Sequence, residues 1–327
     1  MNNEKTIELK ELIKEQYSNI VGIVVLKNDR IIFENYFNGY NRNDTVHVAS
    51  VTKSILSALI GIAVDKGYIK SIEQNILDYF LDYKTKRGEN TIQKITIKNL
   101  LTMTAPYKYK YEPYTKVYSS DDWTKAVLDL LGGKGKIGVF KYTTVGIQLL
   151  SGIIANATGQ RVLDFATENL FKPLDIKAPH NVKINNKEEH FAFLKNKDVS
   201  GWVIDPKGIN TAGWGLALST NDMAKIGQLY LNKGKWNSKR ILSSKWIEDS
   251  TKEHSRWGEL PYGYLWWIID GDDNINYAAL GDGGNVIFVS PGNKMVIAIT
   301  SRFMPRAKDR IKLIKKNIMP IFNDDLR

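Results

Sequence analysis

The sequence predicts an α+β protein: one antiparallel sheet built from both chain ends, flanked by helices, with a mainly helical lobe inserted between. Three observations predict it. Short β-branched runs bounded by turn residues gather near the two ends, in residues 20–37 and 264–300. Helical periodicity dominates the stretch between them. And 327 residues, 43% of them apolar, suffice for a sizeable core. The expected layout is a single domain over 1–327, in which residues 1–60 and 260–327 form the sheet lobe and 61–259 the helical lobe. Two such lobes meet in a cleft.

Taken in order, residues 6–17 place Ile7, Leu9, Leu12 and Ile13 among charges, which predicts an amphipathic helix. The runs 20–27 and 30–37, parted by Asn28-Asp29, predict a hairpin. From Ser50 to Val64 the chain is almost wholly apolar and ends at Gly67, the pattern of a buried helix with a glycine stop. Further helices are expected over 97–103, 121–131, 144–157, 162–171 and 221–231. Ser219, three residues before Asp222, is the expected N-cap of the last. Strands follow over 264–269, 275–280, 285–290 and 294–300, and a helix over 306–318 closes the pattern.

Composition excludes several chemistries. Cysteine is absent, which removes disulfides, thiolate metal sites and cysteine nucleophiles. The four histidines, His47, His180, His190 and His254, lack the spacing of a helical zinc site. No metal or other cofactor is expected. The net charge of +11 is spread along the chain, with its densest cluster at Lys312, Lys315 and Lys316. That is the pattern of a solvated lysine-rich surface, and no nucleic-acid partner is expected. The amino terminus is polar, without an apolar signal region, and no run reaches membrane-spanning length. A cytoplasmic location and no membrane partner are the expectation. Nothing in the sequence fixes an oligomeric state.

Ser50-Val51-Thr52-Lys53 is the only S-x-x-K in the chain. It opens the most apolar helix of the sequence, where a lysine has no evident structural task. Residues three apart share a helix face, so Lys53 points with Ser50. A lysine among apolar groups loses its charge more readily and can take a proton from a neighbouring hydroxyl. The helix amino terminus adds N–H groups for a developing oxyanion. The plainer reading is an N-cap serine beside a lysine that reaches for solvent. Gly133-x-Gly135-x-x-Gly138 spells a dinucleotide fingerprint but follows a helical pattern, and reads as a loop. Of the adjacent Trp266 and Trp267, which alternate faces on a strand, one is expected in the core and at most one in the cleft. Trp214, between two glycines, is a candidate cleft wall.

The stretch Val48-Ala49-Ser50-Val51-Thr52-Lys53-Ser54, continuing to Asp65-Lys66-Gly67, resembles the nucleophile helix of the serine β-lactamase/penicillin-binding protein superfamily. The similarity is to its class C-like branch of esterases, D-aminopeptidases and 6-aminohexanoate-dimer hydrolases. Residues 95–104 resemble the helix that follows the nucleophile. Tyr142-Thr143-Thr144 is similar to the Y-x-N or Y-x-S motif, and Gly281-Asp282-Gly283-Gly284-Asn285 lies at the third motif. Three further stretches, 171–174, 222–225 and 262–267, match in the same order. The resemblance spans roughly residues 20 to 302 and implies a β-lactamase-like fold.

It also implies acyl transfer. Ser50 attacks a carbonyl, Lys53 and Tyr142 share the proton transfers, and the backbone N–H groups of Ser50 and Asn285 form the oxyanion hole. Thr144, Trp214, Asp282, Gly283 and Gly284 are the implied substrate-binding positions. Two departures bear on substrate. Asp282 stands where lactamases and carboxypeptidases present a lysine or histidine, and repels a carboxylate that a cation would attract. Thr144 replaces the asparagine that contacts a substrate amide. The expected activity is therefore a serine hydrolase of a small-molecule carboxyl ester or small amide. A penicillin-binding carboxypeptidase or β-lactamase, and a non-catalytic ligand-binding module of the same fold, are the alternatives.

Overall fold

The computed structural model describes residues 3–197, 199–270 and 275–323. Its centre is an eight-stranded, wholly antiparallel sheet. In chain order the strands are β1 (Ile20–Lys27), β2 (Arg30–Tyr36), β3 (Ser255–Trp257), β4 (Leu260–Tyr262), β5 (Trp267–Asp270), β6 (Asn276–Gly281), β7 (Asn285–Ser290) and β8 (Met295–Ser301). Their spatial order is β2-β1-β8-β7-β6-β5-β4-β3. The first strand thus pairs with the last, Val24 lying opposite Ala298. Sequence reading and structure agree on an antiparallel sheet from both ends.

β1, β7 and β8 are buried on both faces. Successive residues serve different layers, as a period of two requires. Ile287, Val289, Val296 and Ala298 face the larger core. It also takes in helices α2 (Val51–Asp65) and α4 (Thr220–Leu231). Val286, Phe288, Ile297 and Ile299 face a second layer with Leu9 and Ile13 of helix α1 (Asn3–Gln16). The closing helical run, Arg310–Leu313, Ile314–Ile318 and Met319–Asn323, covers that layer with Leu313, Ile314, Ile318 and Phe322. Helix α4, from the middle of the chain, lies on the sheet against β1, β7 and β8. The remaining middle segments pack around helix α3 (Gln148–Thr158) and α2.

Several boundaries differ from the sequence pattern for identifiable reasons. The 144–157 pattern becomes helical only at Gln148; before it, side chains accept the N–H groups of Thr144, Val145 and Gly146. The 264–269 strand starts at Trp267, since Leu265 adopts φ 61°. The closing helix starts at Arg310, where the Asp309 carboxylate accepts the Lys312 N–H at 3.1 Å. Ser219 caps α4 as its spacing predicts: its hydroxyl accepts the Asp222 N–H at 3.1 Å, and Asp222 reaches back to it. The glycines at 133, 135 and 138 lie in a loop. Met1 and Asn2 of the polar amino terminus, and residues 271–274 between β5 and β6, lie outside the described residues.

Among the described residues no helix is long and apolar enough to cross a membrane. None of their His, Cys, Asp and Glu side chains group into a set able to hold a metal ion.

Candidate active site

Ser50 sits at the junction between a three-residue strand, Thr45–His47, and α2. Ala49, just before it, has φ 50°, a left-handed conformation that a non-glycine residue rarely adopts, and marks a sharp turn. Ser50 is the N-cap residue of α2, yet its side chain makes no capping hydrogen bond. The hydroxyl is therefore free for other partners, and the plain N-cap reading does not hold. Nor does Lys53 reach for solvent: it is 1% exposed.

The Lys53 amine has three hydrogen-bond partners. These are Ser50 Oγ at 2.8 Å, Thr144 Oγ1 at 3.1 Å and the Gly213 carbonyl at 2.9 Å. No carboxylate is among them. Desolvation dominates the charge balance, so burial lowers the Lys53 pKa to about 7, against a smaller opposing pull from Glu112. As an ammonium the amine donates to all three oxygens; once neutral, two N–H groups serve the carbonyl and Thr144 and the lone pair is turned to the Ser50 hydroxyl.

Tyr142 lies over this amine, with Lys53 Nζ 4.9 Å from its ring centroid. Burial raises its pKa to about 12, although a hydrogen-bonding interaction with Ser50 draws it back; Glu112 and Asp282 push it further up. A lysinium beside a phenol would by charge alone favour the phenolate. Burial disfavours both of those charges, so the phenol stays protonated and the amine is the group near neutrality.

A short ladder explains how Gly213 comes within reach. Thr45–His47 pairs with Ala217–Ser219, and the Val48 N–H continues it to the Leu216 carbonyl. His47 Nε2 accepts the Gly215 N–H at 3.0 Å, and burial lowers its pKa to about 3, which keeps it an acceptor. A Cβ at position 213 would lie 2.5 Å from the Thr144 carbonyl oxygen, so only glycine permits this approach. Neither strand is legible in the sequence, each being three residues long. Trp214 is half-buried, donates Nε1–H to Tyr118 at 2.9 Å and packs on His47 and His190.

The third motif divides between two surroundings. Gly281 abuts the nucleophile segment: a Cβ there would lie 2.3 Å from the Val48 carbonyl oxygen and 3.2 Å from Val51. Gly283 and Gly284 form the turn beyond it and face Phe303 and Arg310 instead. Asn285 is 1% exposed and sits opposite Gly281 in the β6–β7 ladder. Its side chain accepts the Ser301 N–H and donates to the carbonyls of His47 and Asp282. Asp282 is exposed, and its carboxylate accepts the Gly283 N–H at 3.0 Å.

Of the two tryptophans, Trp266 is core, against Tyr230 and Tyr277. Trp267 stacks on Tyr142 with centroids 5.7 Å apart and 24° between planes. Three participants carried no local signal in the sequence: the Gly213 carbonyl, Glu112 and His47.

Comparison with known proteins agrees with this architecture. A family model described as Beta-lactamase matches residues 9–316. The 6-aminohexanoate-dimer hydrolase of Paenarthrobacter ureafaciens is 22% identical over 300 residues, covering 84% of this chain and 70% of the relative. A class C β-lactamase structure from Rhodobacter sphaeroides superposes with TM-score 0.74 at 15% identity, over 98% of this chain and 100% of that one. The octameric penicillin-binding protein homologue from Pyrococcus abyssi gives 0.71 at 20% identity, over 98% and 78%. At such identities the two structures speak for the fold alone. The family match spans nearly the whole length, and the chain belongs to the Beta-lactamase family, a family of hydrolases.

Proposed function

We propose that this protein is a serine hydrolase that forms an acyl-enzyme on Ser50, acting on a carboxyl ester or a small amide. The observation that carries the reading is a buried, weakly basic lysine 2.8 Å from a serine hydroxyl that no cap engages. In the first half-reaction the Ser50 oxygen bonds to the substrate carbonyl carbon while Lys53 takes its proton. The tetrahedral oxyanion is held by backbone N–H groups. Ser50 supplies one. The candidate for the second is Asn285, which sits opposite Gly281, the residue pressed against the nucleophile segment. The proton then passes through the Tyr142 phenol to the leaving oxygen or nitrogen, and the bond to the leaving group breaks. Water then attacks the acyl carbon, its proton drawn through Tyr142 to Lys53; the bond from Ser50 Oγ to the acyl group breaks, and Lys53 returns the proton to Ser50 Oγ.

The substrate class follows from charge. The exposed Asp282 carboxylate, whose charge acts on Tyr142, disfavours a substrate carboxylate beside it, and the Thr144 hydroxyl is already engaged by Lys53. Both features argue against a penicillin or a peptide terminus.

Incubation with a fluorophosphonate followed by peptide mass spectrometry is expected to place one adduct on Ser50. Absence of that adduct would overturn the proposal. Short p-nitrophenyl esters should turn over many times per site, and nitrocefin slowly or not at all. Faster nitrocefin hydrolysis would favour the lactamase alternative, and a single turnover the non-catalytic one.

A further inference from the structure

Glu112 belongs to no part of the chemistry above, yet it grips the segment that delivers two of its side chains. Residues 141–147 bring Tyr142 and Thr144 to Lys53 without the support of a helix or strand. Backbone N–H groups in such a segment need acceptors from elsewhere. Glu112 supplies them: one oxygen, Oε2, accepts the N–H of Thr144 at 3.2 Å and of Val145 at 2.9 Å. Neighbours on the same loop reinforce the grip. The Tyr109 hydroxyl pairs with Thr143 Oγ1 at 2.7 Å, and Lys141 Nζ donates to the Tyr109 carbonyl.

We propose that Glu112 is a positioning residue for the site: its carboxylate clamps the Tyr142–Thr144 segment against Lys53, and its charge raises the pH at which Ser50 becomes reactive. The inference rests on the acyl-enzyme reading. The titratable groups facing Glu112 are Lys53 on α2, Lys141 and Tyr142 on the clamped segment, Tyr107 and Tyr109 on its own loop, and Tyr114 and Tyr118 on the short helix Tyr114–Tyr118 that follows it. Burial pushes all five phenols up, so they stay neutral through the assay range. Both lysines are pulled down by burial and held up by the Glu112 charge. Lys141 is turned toward the Tyr109 carbonyl, which leaves Lys53 as the amine bonded to the nucleophile.

Two substitutions separate clamp from charge. Glu112→Gln keeps an oxygen able to accept both N–H groups and removes the charge. Glu112→Ala removes both. The rate of Ser50 labelling by a fluorophosphonate would be followed from pH 5 to 9. For Glu112→Gln the midpoint should move to lower pH by about half a unit, with the plateau rate nearly kept. For Glu112→Ala the plateau should fall about tenfold or more, as the base segment loses its fixed geometry. A Gln profile superposable on that of the unaltered protein overturns the charge role, and an unchanged Ala plateau overturns the clamp. NMR titration of Lys53 in the unaltered protein and Glu112→Gln provides a second reading that needs no reactivity at Ser50. If Ser50 fails to label, the hydrolase reading falls; if the Lys53 midpoint is the same in both proteins, the Glu112 inference falls.

Discussion

At the scale of single residues, the site turns on an amine held where its charge is unwelcome. In the unfolded chain Lys53 binds a proton up to its ordinary value near 10.4. Folded, it releases the proton at about 7. Between those two pH values the unfolded state holds the extra proton, so stability from this group rises with pH across the window. Below pH 7 the folded protein bears the full cost of a buried ammonium. Two consequences follow at one position. Ser50 acylation should climb with pH through a midpoint near 7 and level off above it, because the neutral amine is the active form. Lys53→Met should abolish acylation while raising Tm at pH 6 by about 2 °C, as a buried charge gives way to an apolar chain of similar length. Calorimetry and the labelling assay check both, and a Tm below that of the unaltered protein would contradict the assigned burial cost.

At the scale of elements, close approach of backbones places the site. Helix α4 carries Gly227 against the sheet, where a Cβ would lie 2.5 Å from Val296 Cγ1 and 2.8 Å from Ile287 Cγ2. Gly227→Ala gains up to about 1 kcal/mol of helix propensity. Against this stands overpacking of a filled core, which costs about 1–3 kcal/mol. A net loss of about 1 kcal/mol is the expected result of urea denaturation, and a gain would mean that α4 can lift off the sheet freely. Legibility at this scale varied with length and chemistry. The hairpin 20–36 and the strands 285–290 and 295–301 were readable because β-branched residues and turn signals bound them sharply. The β3–β4 hairpin was not, since Gly258 and Pro261 break its pattern. Helix 187–195 buries little beyond Phe193 and leaves only a faint period.

At the scale of the whole molecule, the pairing of β1 with β8 ties together residues some 270 positions apart, and the second core layer closes only when the final helical run docks. Leu313, Ile314, Ile318 and Phe322 are each fully buried. At about 1.5–3 kcal/mol per side chain, their removal forfeits about as much as the entire stability of a typical domain. A chain ending at residue 305 should therefore lose its cooperative thermal transition and bind a hydrophobic dye, while a soluble protein with intact unfolding behaviour would refute this account of the core.

The sequence by itself determined the central strands of the sheet and the pairing of Ser50 with Lys53, because both depend on local spacing: a period of two on a strand, and three residues along a helix face. Tertiary structure decided which proton carrier is near neutrality. That depends on how completely water is removed from Lys53 and Tyr142, and on the Gly213 carbonyl, Glu112 and Trp267 arriving from distant segments. Burial is a property of the assembled core, so no spacing in the chain could announce it.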